Sequence, residues 1–121
     1  MTDRIFITGL SLHAYHGVMP YEGKFGQTFT IDMVLDIDLS AAARSDKVVD
    51  TVSYDKVVES ASRAFTSQKF RLIEAAAGAV ADAVLAGFPR VQSVTVTIHK
   101  PHAPIAATFS DVAVNLVRNR R

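Results

Sequence analysis

The clearest pattern along the chain is an alternation of apolar and polar residues between positions 28 and 39, in which Val34 is the one apolar residue on the polar side. The polar set is mostly threonine and aspartate, and the apolar set is Phe29, Ile31, Met33, Leu35, Ile37 and Leu39. A period of two puts the two sets on opposite faces of a strand, and one wet face is typical of an antiparallel sheet. The aspartates are interpreted as that solvated face, because their spacing along a strand does not form a metal cage.

The strand before it is predicted to change phase in its middle. The apolar residues at positions 5 and 7 share one parity, whereas Leu10 and Leu12 share the other. Gly9 lies at the change, so a β-bulge in a long bent strand is expected there. Residues 15–20 are then predicted to form a turn and loop, which carries Glu22 toward a glycine-rich stretch.

Two helices are predicted in the middle of the chain. Ser53 is placed as the N-cap of the first, which keeps apolar residues at helical spacing as far as Phe65. The second begins within residues 70–72 and ends after Ala86, because Gly87 and a proline two residues later stop it. Its apolar stripe comprises Leu72, Ile73, Ala76, Val80, Ala83 and Val84.

A third strand places a lysine at its end. Val94, Val96 and Ile98 alternate with polar residues, and Lys100 falls on the apolar side of the same strand. Pro101 lacks an N–H group, so the strand is expected to stop before it. Such a lysine either extends its amine into water or, if partly desolvated, exchanges protons near neutral pH.

A fourth strand is predicted around Val112, Val114 and Leu116, and Phe109 is out of phase with them, so a bulge is expected near residues 110–111. The order strand, strand, helix, helix, strand, strand predicts an α+β fold. In it, two helices cover one face of a four-stranded antiparallel sheet. Long strands at two open edges favour pairing with further copies, so a homo-oligomer is expected.

Composition narrows the class of protein. The 121 residues suggest a single domain over 1–121, and the formal net charge of +1 without a basic run does not favour nucleic acid. The chain has no cysteine for a disulfide or thiolate site. Neither a membrane-spanning run nor a signal-peptide pattern is found, which favours a soluble, cytoplasmic protein.

The histidines do not have the spacing of a known metal motif, and no metal is expected. They are His13, His16, His99 and His102. His16, which precedes a glycine, is interpreted as a residue of a turn or of a pocket wall.

Three further residues could carry chemistry, and each has a purely structural alternative. Glu74, in the first turn of the second helix, could complement the helix dipole or bind the guanidine-like edge of a heterocycle. Tyr54 could pack its ring inward or offer a phenol for proton transfer. Glu22 could simply be solvated or could bind a ligand, since loops often carry function.

An ordered set of motifs covers essentially the whole chain. In order they are Gly9-Leu10, Ala14-Tyr15-His16-Gly17-Val18, Gly26-Gln27, Asp38-Leu39, Ser45-Asp46, Asp50-Thr51-Val52-Ser53-Tyr54, Leu72-Ile73-Glu74 and Lys100-Pro101-His102-Ala103-Pro104-Ile105. Each motif is weak alone, but together they resemble the dihydroneopterin aldolase family of folate biosynthesis.

The resemblance implies a T-fold subunit whose sheets join into an oligomeric barrel, as a tetramer or a stacked octamer with active sites between subunits. It implies a lyase that cleaves 7,8-dihydroneopterin by a retro-aldol reaction to 6-hydroxymethyl-7,8-dihydropterin and glycolaldehyde, with C2′ epimerase activity as a companion. No cofactor, metal or Schiff base is implied, because the C=N bond of the reduced pterin accepts the electrons.

Site residues follow from the same resemblance. Glu74 and the backbone at Ile73 would hold the amino-pyrimidine edge of the pterin, and Glu22 would bind the side-chain hydroxyls. Lys100 would be the main acid/base group, acting through a water, and Tyr54 would come from the adjacent subunit to serve in proton transfer.

The alternatives are an epimerase acting on dihydroneopterin triphosphate, a T-fold pterin enzyme with a metal, and a non-catalytic pterin-binding or structural oligomer. An epimerase for the triphosphate would require a cationic pocket for the phosphates. A non-catalytic oligomer would not need Tyr54, Glu74 and Lys100 together, because the packing of the core requires none of them. Tyr21 and Lys24 depart from a loop that is usually more acidic, which leaves the substrate preference near Glu22 open.

Overall fold

The computed structural model describes residues 3–120 and is built around an antiparallel sheet with the strand order β1–β2–β3–β4. The strands are β1 (Arg4–Ala14), β2 (Gln27–Asp36), β3 (Ser93–His99) and β4 (Ala113–Asn119). The helices are α1 (Pro20–Phe25), α2 (Ser40–Ser45), α3 (Tyr54–Thr66) and α4 (Ile73–Gly87), with a 3-10 turn at Val48–Asp50. The predicted α+β class and the order of the four strands and two long helices are confirmed, and the short helices α1 and α2 are additional to the prediction.

The core lies between one face of the sheet and the two long helices. The alternate apolar positions of β2, namely Phe29, Ile31, Met33 and Leu35, are almost fully buried, as the alternation predicts. The strand ends at Asp36, however, and not at Leu39. Asp38 accepts hydrogen bonds from both the N–H and the hydroxyl of Ser40, and this local turn begins α2 instead of extending the strand.

The bulge predicted in β1 is confirmed. The register between β1 and β2 shifts between Ile7 and Leu10, and Gly9 has a φ of 78°, in the left-handed region. The N–H of Gly9 points out of the β1–β2 ladder and donates to the Asp32 carboxylate at 2.8 Å. Glycine at the bulge therefore allows the strand to bend while its free N–H finds an acceptor.

The long helices pack on the sheet through small and branched side chains. Helix α3 buries Val57, Ala61 and Phe65, while α4 is buried along most of its length and contacts β3 and β4. Ser53 is the N-cap of α3 as predicted, but its hydroxyl bonds to Asp55 and not to the backbone. The prediction that Leu72 belongs to the apolar stripe of α4 is wrong, because Leu72 is the N-cap residue and is half exposed.

Two segments differ from the sequence prediction. Residues 20–25 form a short helix and not a loop, because Pro20 at the first position and the Glu22 carboxylate, which accepts the Met19 N–H, stabilise its start. The bulge expected near residues 110–111 is absent, because the chain leaves the sheet after His99 and β4 begins only at Ala113.

His16 joins two parts of the chain from a fully buried position, among the rings of Phe29, Phe65 and Phe70. Its Nδ1 accepts the Phe70 N–H at 3.0 Å, which assigns the proton to Nε2, 2.8 Å from the Phe65 carbonyl oxygen. The neutral ring therefore satisfies both backbone groups and ties the α3–α4 connection to the end of β1.

This arrangement predicts a loss of stability in acid. Burial lowers the pKa of His16 from 6.5; the Phe65 carbonyl opposes the shift, and the charge of Lys100 adds to it. The unfolded chain then binds more protons, so the free energy of unfolding decreases as the pH falls below that value. The slope from this one group has an upper limit of about 1.4 kcal/mol per pH unit, the value for one proton. Urea unfolding at a series of pH values on either side of 6.5 measures this slope.

Comparison of variants isolates His16 from the other titrating groups. We expect His16→Gln, whose amide can still accept the Phe70 N–H, to lose this part of the pH dependence. His102→Gln, at an exposed position, should keep it. Equal slopes in the wild type and His16→Gln would show that His16 is not the source.

Candidate active site

One cleft of about 360 Å³ brings together four of the five site residues predicted from the sequence. It is lined by Glu22 from α1, Ile73 and Glu74 from the start of α4, and Lys100 from the end of β3. Its remaining walls are Val18, Met19, Arg71, Leu72, Ala103, Pro104, Ile105, Val112 and Val114. Polar groups thus converge in a mostly apolar concavity, which is typical of a small-molecule site.

Glu22 and Lys100 form an ion pair at the base of this cleft. Lys100 Nζ lies 2.7 Å from Glu22 Oε2, and the two side chains are 13% and 2% exposed. The core-side phase of β3 directs Lys100 inward, as the alternation predicts, and the α1 helix turns Glu22 toward it. The interpretation of Glu22 as a solvated loop residue is therefore wrong.

The Glu22 carboxylate is held by three donors. Besides Lys100, it accepts the Met19 N–H at 3.1 Å and the Gln27 side-chain amide at 3.0 Å. Burial raises the pKa of Glu22, but the hydrogen bonds from Lys100, Met19 and Gln27 together outweigh burial and hold it below its ordinary value. The site thus contains a carboxylate that stays ionised and can accept hydrogen bonds from a ligand.

Gln27 supports the site through Glu22, and no local sequence pattern singles it out. It begins β2, and its amide reaches back across the α1–β2 junction to the Glu22 carboxylate. Its Oε1 is buried without a hydrogen-bond partner among the described residues, so it remains available as an acceptor. Only the presence of Gly26-Gln27 among the family motifs pointed to this position.

Tyr21 and Lys24, the two departures from the family pattern, lie on α1. Tyr21 lines a smaller neighbouring cleft that also contacts Glu22, whereas Lys24 is exposed and lies over the Phe25 ring. Of these two departures, only Tyr21 therefore lies next to the candidate site.

The beginning of α4 supplies both acceptors and donors. Ile73 and Glu74 are its first two residues, and the first N–H groups of a helix have no intrahelical acceptor. Glu74 is exposed while Ile73 is buried, so the carboxylate projects into solvent at the cleft. A carboxylate beside free N–H groups can bind a planar ligand edge that presents both donors and acceptors.

Tyr54 does not reach this cleft within one chain. It is the first residue of α3, the residue is 65% exposed, and it lines a separate cleft of about 450 Å³. The other walls of that cleft come from residues 42–55, among them Asp46, Val48, Val52 and Ser53. The alternative of a ring packed inward is wrong.

Residues 3–120 contain neither a cluster of metal-binding side chains nor a helix suited to spanning a membrane. No group of three or more histidine and carboxylate side chains there could hold a metal ion. None of the helices in this part of the chain is both long and apolar enough to cross a membrane.

Comparison with known proteins identifies relatives of this chain in sequence and fold. The family model described as "FolB: Dihydroneopterin aldolase" matches residues 5–117. The chain is 45% identical over 120 residues to a dihydroneopterin aldolase of Methylorubrum extorquens, covering 99% of this chain and 92% of the relative.

Solved structures agree with that assignment. The Escherichia coli dihydroneopterin aldolase in complex with neopterin superposes with a TM-score of 0.88 at 31% identity, covering 98% of this chain and all of the other. A uricase of Bacillus fastidious is similar at a TM-score of 0.72 over 96% of this chain, but at 12% identity it shows the fold alone. This chain covers 43% of that uricase, which shares the T-fold.

Proposed function

The chain belongs to the dihydroneopterin aldolase family, and on that premise we propose that it cleaves 7,8-dihydroneopterin in the cleft formed by Glu22, Glu74 and Lys100. It is an enzyme of folate biosynthesis with dihydroneopterin aldolase activity. The observation that carries the choice of site is the buried Glu22–Lys100 pair, which places an ionised acceptor and an amine 2.7 Å apart in an open cleft.

The proposed reaction is a retro-aldol cleavage by general acid/base catalysis. A base removes the proton of the 2′-hydroxyl, the C1′–C2′ bond breaks, and its electron pair moves into the adjacent C=N bond of the reduced pterin. Glycolaldehyde leaves, and protonation at C1′ gives 6-hydroxymethyl-7,8-dihydropterin. The substrate is its own electron sink, so the protein must orient it, exclude water and transfer protons.

Each residue of the cleft has a part in this scheme. Glu22 accepts hydrogen bonds from the side-chain hydroxyls, and Lys100 exchanges protons with them through a water. Glu74 accepts two hydrogen bonds from the amino-pyrimidine edge, assisted by the backbone at Ile73. The buried pair supports this division of roles, because Glu22 and Lys100 already meet in the cleft, where the hydroxylated side chain of the substrate would lie.

Tyr54 is proposed to act in the cleft of a neighbouring subunit. Its exposed ring at the start of α3 cannot serve the cleft of its own chain, which favours a site completed between subunits. The two edge strands also carry exposed apolar residues, Phe6 on β1 and Val117 on β4. We therefore propose a homo-oligomer, either a tetramer or an octamer. We also propose that the enzyme epimerises C2′ when the two fragments recombine on the opposite face.

A product analysis tests the reaction directly. Purified, chelator-treated protein is incubated with 7,8-dihydroneopterin, and the products are separated by chromatography. Release of 6-hydroxymethyl-7,8-dihydropterin with an equal amount of glycolaldehyde supports the proposal. Formation of the C2′ epimer alone would favour an epimerase instead, and an unchanged substrate would contradict both.

Gly17 provides an independent test of the position of Glu22. Its φ is 148°, and a Cβ added there would lie 2.4 Å from Cδ and Oε1 of Glu22. Gly17→Ala must therefore displace the carboxylate from Lys100, and we expect kcat/KM to fall by at least roughly tenfold, since a 1 Å misplacement can cost a hundredfold. Steady-state kinetics with 7,8-dihydroneopterin measure the effect.

Gly87→Ala is the control for adding a methyl group where there is room for it. Gly87 lies at the end of α4, and an added Cβ would meet no atom within 4 Å. We expect its kinetics to equal those of the wild type. If Gly17→Ala also retained full activity, Glu22 would not need its observed position.

A further inference from the structure

A histidine on the polar face of the sheet lies between two carboxylates. His99 Nε2 is 2.8 Å from Asp32 Oδ2, and His99 Nδ1 is 2.6 Å from Asp111 Oδ2. The second oxygen of Asp32 accepts the Gly9 N–H at the β1 bulge. His99, the last residue of β3, thus joins β2 to the segment before β4, and Asp32 extends the connection to the bulge of β1. We call His99, Asp32 and Asp111 the His99 clamp.

Only the charged imidazolium satisfies both contacts. A neutral imidazole has one N–H, so one carboxylate would face a ring lone pair, whereas the imidazolium donates from both nitrogens. Among residues 3–120, the titratable groups that contact the ring are Asp32 on β2 and Asp111 in the segment before β4. Hydrogen bonding to Asp111, then to Asp32, raises the pKa of His99, while burial opposes the shift.

The clamp is adjacent to the proposed acid/base group. Lys100 follows His99 in the chain, and its N–H donates to the Val112 carbonyl at 2.7 Å. The two links, His99 to Asp111 and Lys100 to Val112, close the base of the loop formed by residues 101–110. This loop supplies Ala103, Pro104 and Ile105 to the wall of the cleft.

We infer that the His99 clamp is a positioning unit for catalysis, which fixes the Lys100 backbone and the adjoining cleft wall while His99 is charged. This inference rests on the proposed role of Lys100. His99 points to the polar face of the sheet and Lys100 to the opposite side, so the clamp acts through the backbone and the loop, without contact to the substrate. Loss of the clamp should reduce turnover more than pterin binding, because Glu74 and Ile73 lie on α4, away from it.

Asp111→Ala and Asp111→Asn test the inference as a pair. The alanine removes the acceptor, and we expect kcat to fall by roughly tenfold, with less than about a twofold change in the Kd for neopterin. The asparagine offers a carbonyl oxygen that can accept the N–H of the imidazolium and an amide N–H that can donate to the neutral ring, so it can hold His99 in either protonation state. We therefore expect it to restore kcat over the whole pH range, whereas the wild type loses one contact when His99 becomes neutral.

The ratio of kcat for Asp111→Asn to kcat for the wild type, measured against pH, isolates His99. Both proteins retain Lys100, so its titration cancels to first order in the ratio. A rise in this ratio as pH rises supports the clamp, because only the wild type loses a contact when His99 becomes neutral. A fall in the ratio as pH rises, or full kcat in Asp111→Ala, would overturn it. Failure of the proposed function is distinct, because the wild type itself would then not cleave 7,8-dihydroneopterin.

Asp36→Asn is the matched control. Asp36 lies four residues from Asp32 on the same face of β2, where it contacts Arg4 at 3.0 Å and the Ser93 hydroxyl at 2.6 Å. Its loss removes a comparable set of polar contacts at the far end of the strand. We expect unchanged kcat and an unchanged pH profile for this variant. If Asp36→Asn lost as much kcat as Asp111→Ala, the His99 clamp would contribute only to general stability.

Discussion

Lys100→Gln is expected to lower kcat for 7,8-dihydroneopterin by at least roughly a hundredfold, the usual effect of losing a general acid/base group. Glutamine is preferred to alanine because Glu22 is almost fully buried against Lys100. Removing one partner of a buried ion pair costs about 3–5 kcal/mol, whereas the glutamine amide can still donate to the carboxylate. The variant therefore tests chemistry with the smallest disturbance of the fold.

Stopped-flow and steady-state assays of the purified variant measure this loss, with neopterin binding as the check on the intact site. Lys24→Gln is the control, because Lys24 is an exposed lysine on the same helix as Glu22. Near-normal turnover in Lys100→Gln would remove Lys100 from its role. If Tyr54 acts across subunits, mixing this variant with Tyr54→Phe under conditions of subunit exchange should restore part of the activity.

Glu74→Gln is expected to weaken pterin binding and not to abolish the chemistry. A hydrogen bond to a charged group contributes about 1.5–3 kcal/mol, which corresponds to an increase in Kd of about ten- to over a hundredfold. Glutamine has nearly the same shape, but it replaces one acceptor oxygen by a donor that would face the donors of the amino-pyrimidine edge. Titration with neopterin, followed by fluorescence, gives the Kd.

Asp82→Asn controls for a change of charge on α4. Asp82 is an exposed residue further along the helix, and its carboxylate lies 3.5 Å from Arg118. Its loss should leave the Kd for neopterin unchanged. An unchanged Kd in Glu74→Gln would contradict the assignment of Glu74 as the pterin anchor, whatever the effect on kcat.

The proposed roles of Glu22 and Glu74 differ because their surroundings differ. Glu22 is buried and is held by three donors, so it can accept ligand hydroxyls only within a fixed geometry. Glu74 is exposed at a helix N-terminus, where the dipole favours its charge. The site therefore offers a rigid acceptor for the reacting side chain and an accessible one for the pterin ring.

The sequence by itself determined the elements whose signal is periodic. The alternation in β2 and β3, the helical spacing in α3 and α4, and the phase change at Gly9 each follow from local backbone geometry. The same periodicity placed Lys100 on the core side of its strand. The family motifs added the site residues, because an ordered set of short patterns carries information that no single pattern does.

Only the tertiary structure decided how the site is assembled. The burial of Glu22 against Lys100 joins residues 78 positions apart, and the contacts of His99 join three separate segments of the chain. The fold also separated Tyr54 from the cleft of its own chain. Such contacts depend on strand register and helix packing, which arise from the whole core, and local spacing along the chain does not encode them.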